Sequence, residues 1–406
     1  MNMSQLPRIL CLVSAIACMA CGGKRTAEET PEGSYAGDLE FLRAHVADVV
    51  ELTDESGDAR IAVSAKYQGR VMTSTAEGLS GDSYGWINYD LIRSGEVLDQ
   101  FNPIGGEERF WIGPEGGQYS FYFSKGDSFN ISNWQVPHFV DTVTYIQSAP
   151  GRDRLRFEQR ATVTNYSGFD FDVAVQRDII MVGKDSLIRK TGIQVGDAPF
   201  VAYETVNRIT NAGTRAWKKD DGLMSIWLLS MLRPSDQTVA LIPFRPVEGV
   251  DALITTDYFG AVPTDRLVRM DSVLILKCDG KYRSKIGISP KAAKPFAASY
   301  DYAKNILSVI FFPVDENGLY VNSKWELQDD PYAGDVVNAY NDGPLADGGQ
   351  LGPFYELESS SAALELEPGA SQEHRQLTVH FQGEFDKMNE IARTLLGVDL
   401  TETRLP

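Results

Sequence analysis

Cysteine is scarce in this chain. Of the four in 406 residues, Cys11, Cys18 and Cys21 fall in the first 21 positions, and only Cys278 belongs to the body. A disulfide framework and a cysteine metal site are therefore excluded, and Cys278 reads as a small buried apolar side chain. Histidine is equally thin: His45, His138, His374 and His380, no two at His-x-x-x-His spacing. The glycine pairs Gly105-Gly106 and Gly116-Gly117 precede no Gly-Lys-Ser or Gly-Lys-Thr, so they make no phosphate loop. A Gly-x-Ser-x-Gly elbow is missing too, which leaves serine hydrolysis without support. Neither a metal nor a cofactor is expected. Positive charge is also short: the net charge of −18 becomes −19 when residues 1–20, with Arg8 as their one charge, are set aside. So acidic a body repels nucleic acid, and no lysine-rich face interleaved with aromatics offsets it.

A long apolar run is absent as well. The stretch Ile9 to Ala20 is too short to span a bilayer, which takes about 20 apolar residues. With Arg8 before it and small residues at its end, it reads as a secretory signal, residues 1–20, of bacterial lipoprotein type. Cys21 is the expected lipidated residue, with Cys18 the competing position. Residues 21–36, polar and carrying Pro31 and Gly33, read as the lipidated cysteine and a flexible tether. The expected location is the bacterial cell envelope, anchored to a membrane through the lipid and facing the periplasm or the cell surface.

Residues 37–406 read as a single all-β domain ending in a helix. A short helix is predicted from Asp38 to Val46, with Leu39, Leu42 and Val46 on one face. Strand patterns follow at Arg60–Lys66 and over 119–124, 155–165, 169–182, 186–195, 203–211, 224–232, 238–243, 272–277, 306–314 and 376–382. Many short strands separated by turn residues indicate a sandwich or barrel rather than a parallel sheet. Glu384 to Val398 carries a helical apolar stripe that should pack back on the sheet.

The densest candidate for chemistry is Gly105 to Tyr119, which crowds glycines, carboxylates, Arg109 and Trp111 together. An arginine fork and a flat aromatic face are what sugar recognition requires; the plainer reading is a packed bend in which Arg109 pairs with Glu107, Glu108 or Glu115. Gly352 to Ser361 looks like a strand leaving a turn, which puts Glu356 and Glu358 on one face. Two like charges held close raise each other's proton affinity, which suits an acid or base; a solvated edge is the alternative. His138 sits among aromatics and turn residues and is either a proton donor or a hydrogen-bonded loop histidine, whereas His374 and His380 look structural. Asp279 to Lys285 gathers cations that either neutralise carboxylates or contact an acidic sugar, and Asp257 to Gly260 is a weaker candidate for the same opening.

These segments resemble the galactose-mutarotase-like (aldose epimerase) superfamily, whose fold is a large antiparallel β-supersandwich, with here a short N-terminal and a C-terminal helix. Tyr67-Gln68-Gly69-Arg70-Val71 is similar to its early Gly-Gly-Arg-Ile strand. Arg109 followed by His138 resembles its sugar-binding arginine and first histidine, and Glu356 or Glu358 its catalytic glutamate. The mature chain also resembles an uncharacterised family of bacterial lipoproteins, on Gly105 to Gly117 and Phe354 to Ser360. The resemblance implies that Arg109 clamps a sugar, and the residues themselves add Trp111, Glu115, Gln118 and Trp227 as expected ligand contacts of the same cleft. Glu356 or Glu358 would be the base and His138 the acid, with a carbohydrate as partner. The second histidine of such epimerases is absent: Gly222 to Trp227 offers serine and tryptophan instead. Binding or atypical processing of a sugar is thus the expectation, and a structural envelope lipoprotein with no small-molecule site is its rival. Convergence of the named residues on one concave pocket separates the two.

Overall fold

Two strands from the middle of the chain show how the sequence builds the architecture. In Thr238–Pro243, Val239 and Leu241 join one apolar cluster while Ala240 and Ile242 join another. In Val273–Lys277 the same split puts Val273 and Ile275 on one side, Leu274 and Leu276 on the other. A strand apolar on both faces belongs to a sheet covered on both faces. The covers are a second sheet on one side and helices on the other.

The structure is a computed structural model that describes residues 31–151, 153–345 and 348–406. The signal, Cys18 and Cys21 lie outside the described residues. The first helix, Tyr35–His45, is capped by Ser34 and so begins inside the segment read as tether. Val49–Thr53, Arg60–Ser64 and Arg70–Thr75 then form a three-stranded sheet.

A ten-stranded sheet runs in the order Leu267–Arg269, Val273–Lys277, Thr238–Pro243, Phe296–Asp301, Ile306–Phe311, Ser371–Gln382, Phe200–Asn211, Asp170–Met181, Arg154–Thr164, Ile146–Pro150. Facing it is a six-stranded sheet in the order Ile254–Thr255, Ser284–Ile288, Val337–Asn341, Tyr355–Ser360, Ser225–Leu229, Arg109–Gly113. The paired strands of both sheets are antiparallel. The architecture is the large antiparallel β-sandwich the sequence implied, with five short helices among the described residues.

The C-terminal helix, Phe385–Leu396, buries Met388, Ile391, Ala392 and Leu396 against the outer face of the ten-stranded sheet, as its stripe predicts, and stops at Gly397 with φ 70°. Two strand expectations fail. Residues 119–124 are an irregular loop with the Tyr122 hydroxyl on the carbonyl of Ile112, and 186–195 contains the helix Lys184–Thr191.

The strand Ser371–Gln382 reverses the usual assignment of faces. Leu377, Val379 and Phe381 lie under the helix, while the sandwich interior receives Gln372, His374, Gln376, Thr378 and His380. Each polar group is matched across the interior. His374 Nε2 meets the Ser359 hydroxyl at 2.8 Å, Gln376 Nε2 donates to Glu108 at 3.0 Å, and His380 lies between Ser308 and Glu107, at 2.7 and 2.8 Å. Arg177, fully buried on Asp170–Met181, closes this seam with bonds to Glu108 Oε1 at 3.0 Å, Asn207 Oδ1 at 2.7 Å and the Gly69 carbonyl at 2.9 Å.

Burial lowers His374 from 6.5 to about 3, so the folded protein keeps this imidazole neutral. The unfolded chain binds the proton below 6.5, so stability is complete above that pH and is lost as pH falls toward 3. Each pH unit in that window is worth up to about 1.4 kcal/mol. His374→Gln should therefore lose about 1–2 kcal/mol less than the parent between pH 7 and pH 5 in paired urea melts. Equal losses in both proteins would rule out this origin of acid sensitivity.

Candidate functional site

The outer face of the six-stranded sheet is set by the same alternation. Phe110, Ile112, Ile226 and Leu228 point into the sandwich, so Arg109, Trp111, Trp227 and Leu229 point away from it. Register makes them neighbours: Trp111 stands opposite Trp227, Tyr340 opposite Glu356, and Lys285 opposite Tyr340. Loops then wall this face. Phe101 and Trp134 pack edge-on at 5.5 Å between ring centres, and Trp134 is stacked with Trp325 at 6.1 Å. Phe259 and Arg283 stand at the opening. The result is a cleft of about 510 Å³, its mouth included.

Glycines hold one wall in place. A Cβ on Gly116 would come within 2.2 Å of the Lys324 carbonyl oxygen, so only glycine lets the 113–118 and 322–328 loops touch backbone to backbone. Gln118 ties the same loops: its Nε2 donates to the Gln328 carbonyl at 2.9 Å and its Oε1 accepts from Gln328 N–H at 3.0 Å. Trp325 is thereby held over the cleft. Gln118 supports the wall and does not line it.

Charge within the cleft is paired tightly. Arg109 Nη2 bonds Glu356 Oε1 at 2.7 Å, both side chains 5 % exposed, and the guanidinium lies 4.2 Å over the Trp111 ring. Lys285 Nζ and Trp227 Nε1 both donate to Glu358 Oε2, at 2.8 and 2.9 Å. Burial raises the Glu356 carboxyl to about 8, with Arg109 pulling it down and Glu358 pushing it up. Burial also raises Glu115, against the pull of Lys285 and of a hydrogen bond from Trp325. Burial lowers Lys285, but Glu358, Glu115 and Glu356 outweigh it and the net shift is upward. Glu356 thus holds a proton near neutral pH and can exchange it, as an acid–base group must.

Several buried polar atoms here have no hydrogen-bond partner: Arg109 Nε and Nη1, Trp111 Nε1, Trp134 Nε1 and Glu358 Oε1. Unmatched buried donors cost about 1–3 kcal/mol each, so their concentration at one cleft calls for an explanation outside the chain.

Of the residues singled out from sequence, the structure gathers Arg109, Trp111, Glu115, Trp227 and Glu356 in this cleft, with Glu358 bonded to Trp227 and Lys285 beneath it. Arg109 does not pair with Glu107 or Glu108, which turn to His380 and Arg177. Glu356 and Glu358 are buried on an inner strand, not on a solvated edge. His138 lies elsewhere: it opens the one-turn helix His138–Asp141, is exposed, and borders a separate depression beside 121–125. Sequence reasoning did not place Trp134, Trp325 or Tyr340 in the site, and it left Lys285 within a cation-rich segment whose two destinations, carboxylates or an acidic sugar, stayed open. Lys285 was within reach, because the alternation of Ser284–Ile288 puts Ile286 in the core and Lys285 on the cleft face.

Solved structures similar to this chain include a protein of Synechocystis sp. PCC 6803, 12 % identical over 82 % of this chain and 96 % of its own, with a TM-score of 0.49. A galactose mutarotase-like protein of Lactobacillus casei is 9 % identical over 82 % and 99 %, with a TM-score of 0.46. A galactose mutarotase related enzyme of Lactobacillus acidophilus is 8 % identical over 83 % and 98 %, also at 0.46. No curated protein matches the chain. Residues 33–405 match the model of a family of unknown function (DUF6786).

Proposed function

Starting from a chain that belongs to this family of unknown function (DUF6786), we propose that its cleft binds a sugar and that Glu356 supplies proton exchange to it. One observation carries the reading: flat indole faces and unmatched buried donors meet in a single concave site. A pyranose ring has an apolar C–H face that seats on Trp325, the half-buried indole of the wall, and hydroxyl oxygens that accept from the unmatched guanidinium and indole N–H groups around it. The rival, an envelope lipoprotein with no such site, leaves those donors unexplained. Proton exchange runs without imidazole, since none lines the cleft among the described residues. In the cell, the domain is held at a membrane of the bacterial envelope by lipid on Cys21.

The test is calorimetric titration of the full-length protein in detergent with a panel of monosaccharides and short glycans, from pH 6 to pH 10. Below about 8 Glu356 is neutral and leaves Arg109 free to serve a ligand; above it the carboxylate claims Arg109. Affinity should therefore fall as pH rises through about 8 in the parent and stay level in Glu356→Gln. A level profile in the parent would remove the proton role of Glu356. No binding to any glycan would return the weight to the structural lipoprotein.

A further inference from the structure

The cation-rich segment 279–285 divides its charges among three destinations. Lys281 turns outward to Asp236 at 2.6 Å, and Lys285 turns inward to Glu358. Arg283 forms no ion pair among the described residues, although the chain carries 56 acidic side chains against 38 basic ones. It is nonetheless held firmly. Its guanidinium lies 3.8 Å over the Phe259 ring, and its Nε donates to the Tyr340 hydroxyl at 3.3 Å. Among the described residues that leaves both terminal nitrogens without a hydrogen-bond partner, and the side chain lines the cleft. Glu356 bonds Arg109 and Glu358 bonds Lys285, while Glu115 and Asp342 feel Arg283 only through space, with no direct ion pair to it among the described residues.

We infer that the sugar taken by this cleft carries a carboxylate, as a uronic acid does, and that Arg283 receives it. The inference rests on the reading of the cleft as a sugar site. A guanidinium with a free planar edge matches a carboxylate through two parallel hydrogen bonds, whereas hydroxyls use the same donors singly. Phe259 shields one face of the fork and fixes its plane, so little freedom is lost on binding. The raised proton affinity of Glu356 and Glu115 works in the same direction, because it reduces the negative charge an anionic ligand meets. Neutral sugars gain less from this arginine, because each hydroxyl takes one donor at a time.

Calorimetry on the full-length protein at pH 7 decides it, with galacturonate and glucuronate beside galactose, glucose and glucose 6-phosphate. Uronates should bind at least about 10-fold more tightly than the neutral sugar of the same ring. In Arg283→Gln that ratio should collapse toward unity; Arg283→Lys, which keeps the charge without the fork, should retain only part of it. Thermal melts confirm that each variant is folded, and the lysine variant serves if the glutamine one is not. Neutral sugars binding as well as uronates, or a preference that survives Arg283→Gln, would overturn the inference and leave the sugar site standing. A phosphate sugar bound better than the uronates would overturn the carboxylate. Silence from every saccharide would take the sugar reading down, and this inference with it.

Discussion

Arg109→Ala should weaken sugar binding by about 30-fold or more while costing the fold little, a separation that follows from the state of its partner. Arg109 Nε and Nη1 are buried beside the cleft with no partner among the described residues, and its Nη2 holds Glu356. A sugar that satisfies those two nitrogens loses both bonds in the variant, together with the guanidinium over Trp111. Removing one member of a buried ion pair ordinarily costs about 3–5 kcal/mol, because the other is left charged and unpaired. Glu356 escapes that fate. Its carboxyl already titrates near 8, and losing the arginine moves it higher, so it stays protonated at neutral pH. Calorimetry should accordingly show the affinity loss, and urea unfolding a change of only about 1 kcal/mol. A large stability loss with affinity intact would reverse the roles assigned here. Arg109→Lys should fall between, since a single ammonium replaces two of the fork's donors.

Arg177→Met should have the opposite profile: about 3–5 kcal/mol of lost stability with no direct effect on the cleft. Arg177 and Glu108 are both 0 % exposed, and the arginine is the cation that Glu108 meets. The variant also strands the Gly69 carbonyl and Asn207 Oδ1, each of which accepts from this guanidinium. Adding Glu108→Gln should restore part of the loss, because a neutral amide can still accept from Gln376 and Thr378 without demanding a cation. A double-mutant cycle measures this coupling. A single variant within 1 kcal/mol of the parent would mean that the pair is dispensable.

Strand alternation was enough to read parts of the site. It put Glu356 and Glu358 on one face, and the structure keeps them so on Tyr355–Ser360. Alternation cannot say which strands become neighbours, so the meeting of Trp111 with Trp227 emerged only from register. Loop residues carry no period at all. Trp325 and Phe259 are brought to the cleft by tertiary packing, while His138, four positions after the lining Trp134, is carried outward on a helical turn. In 186–195, Leu187, Ile188, Ile193 and Val195 mimicked a strand. The helix declares itself instead by Asp185 in its first turn, Arg189 and Lys190 in its last and Gly192 at its end. The loop at 119–124 shows the reverse: aromatic alternation gives a strand only where a partner strand is available.

The crowding of indoles around the cleft has a practical side. Of the six tryptophans, Trp111, Trp134, Trp227 and Trp325 line it, and cations lie over Trp111 and Trp227. Indole emission responds to the water and charge around the ring, so the chain's own ultraviolet signal is weighted toward the site. Occupancy can be followed optically on the unmodified protein, with the buried Trp217 as a steady background.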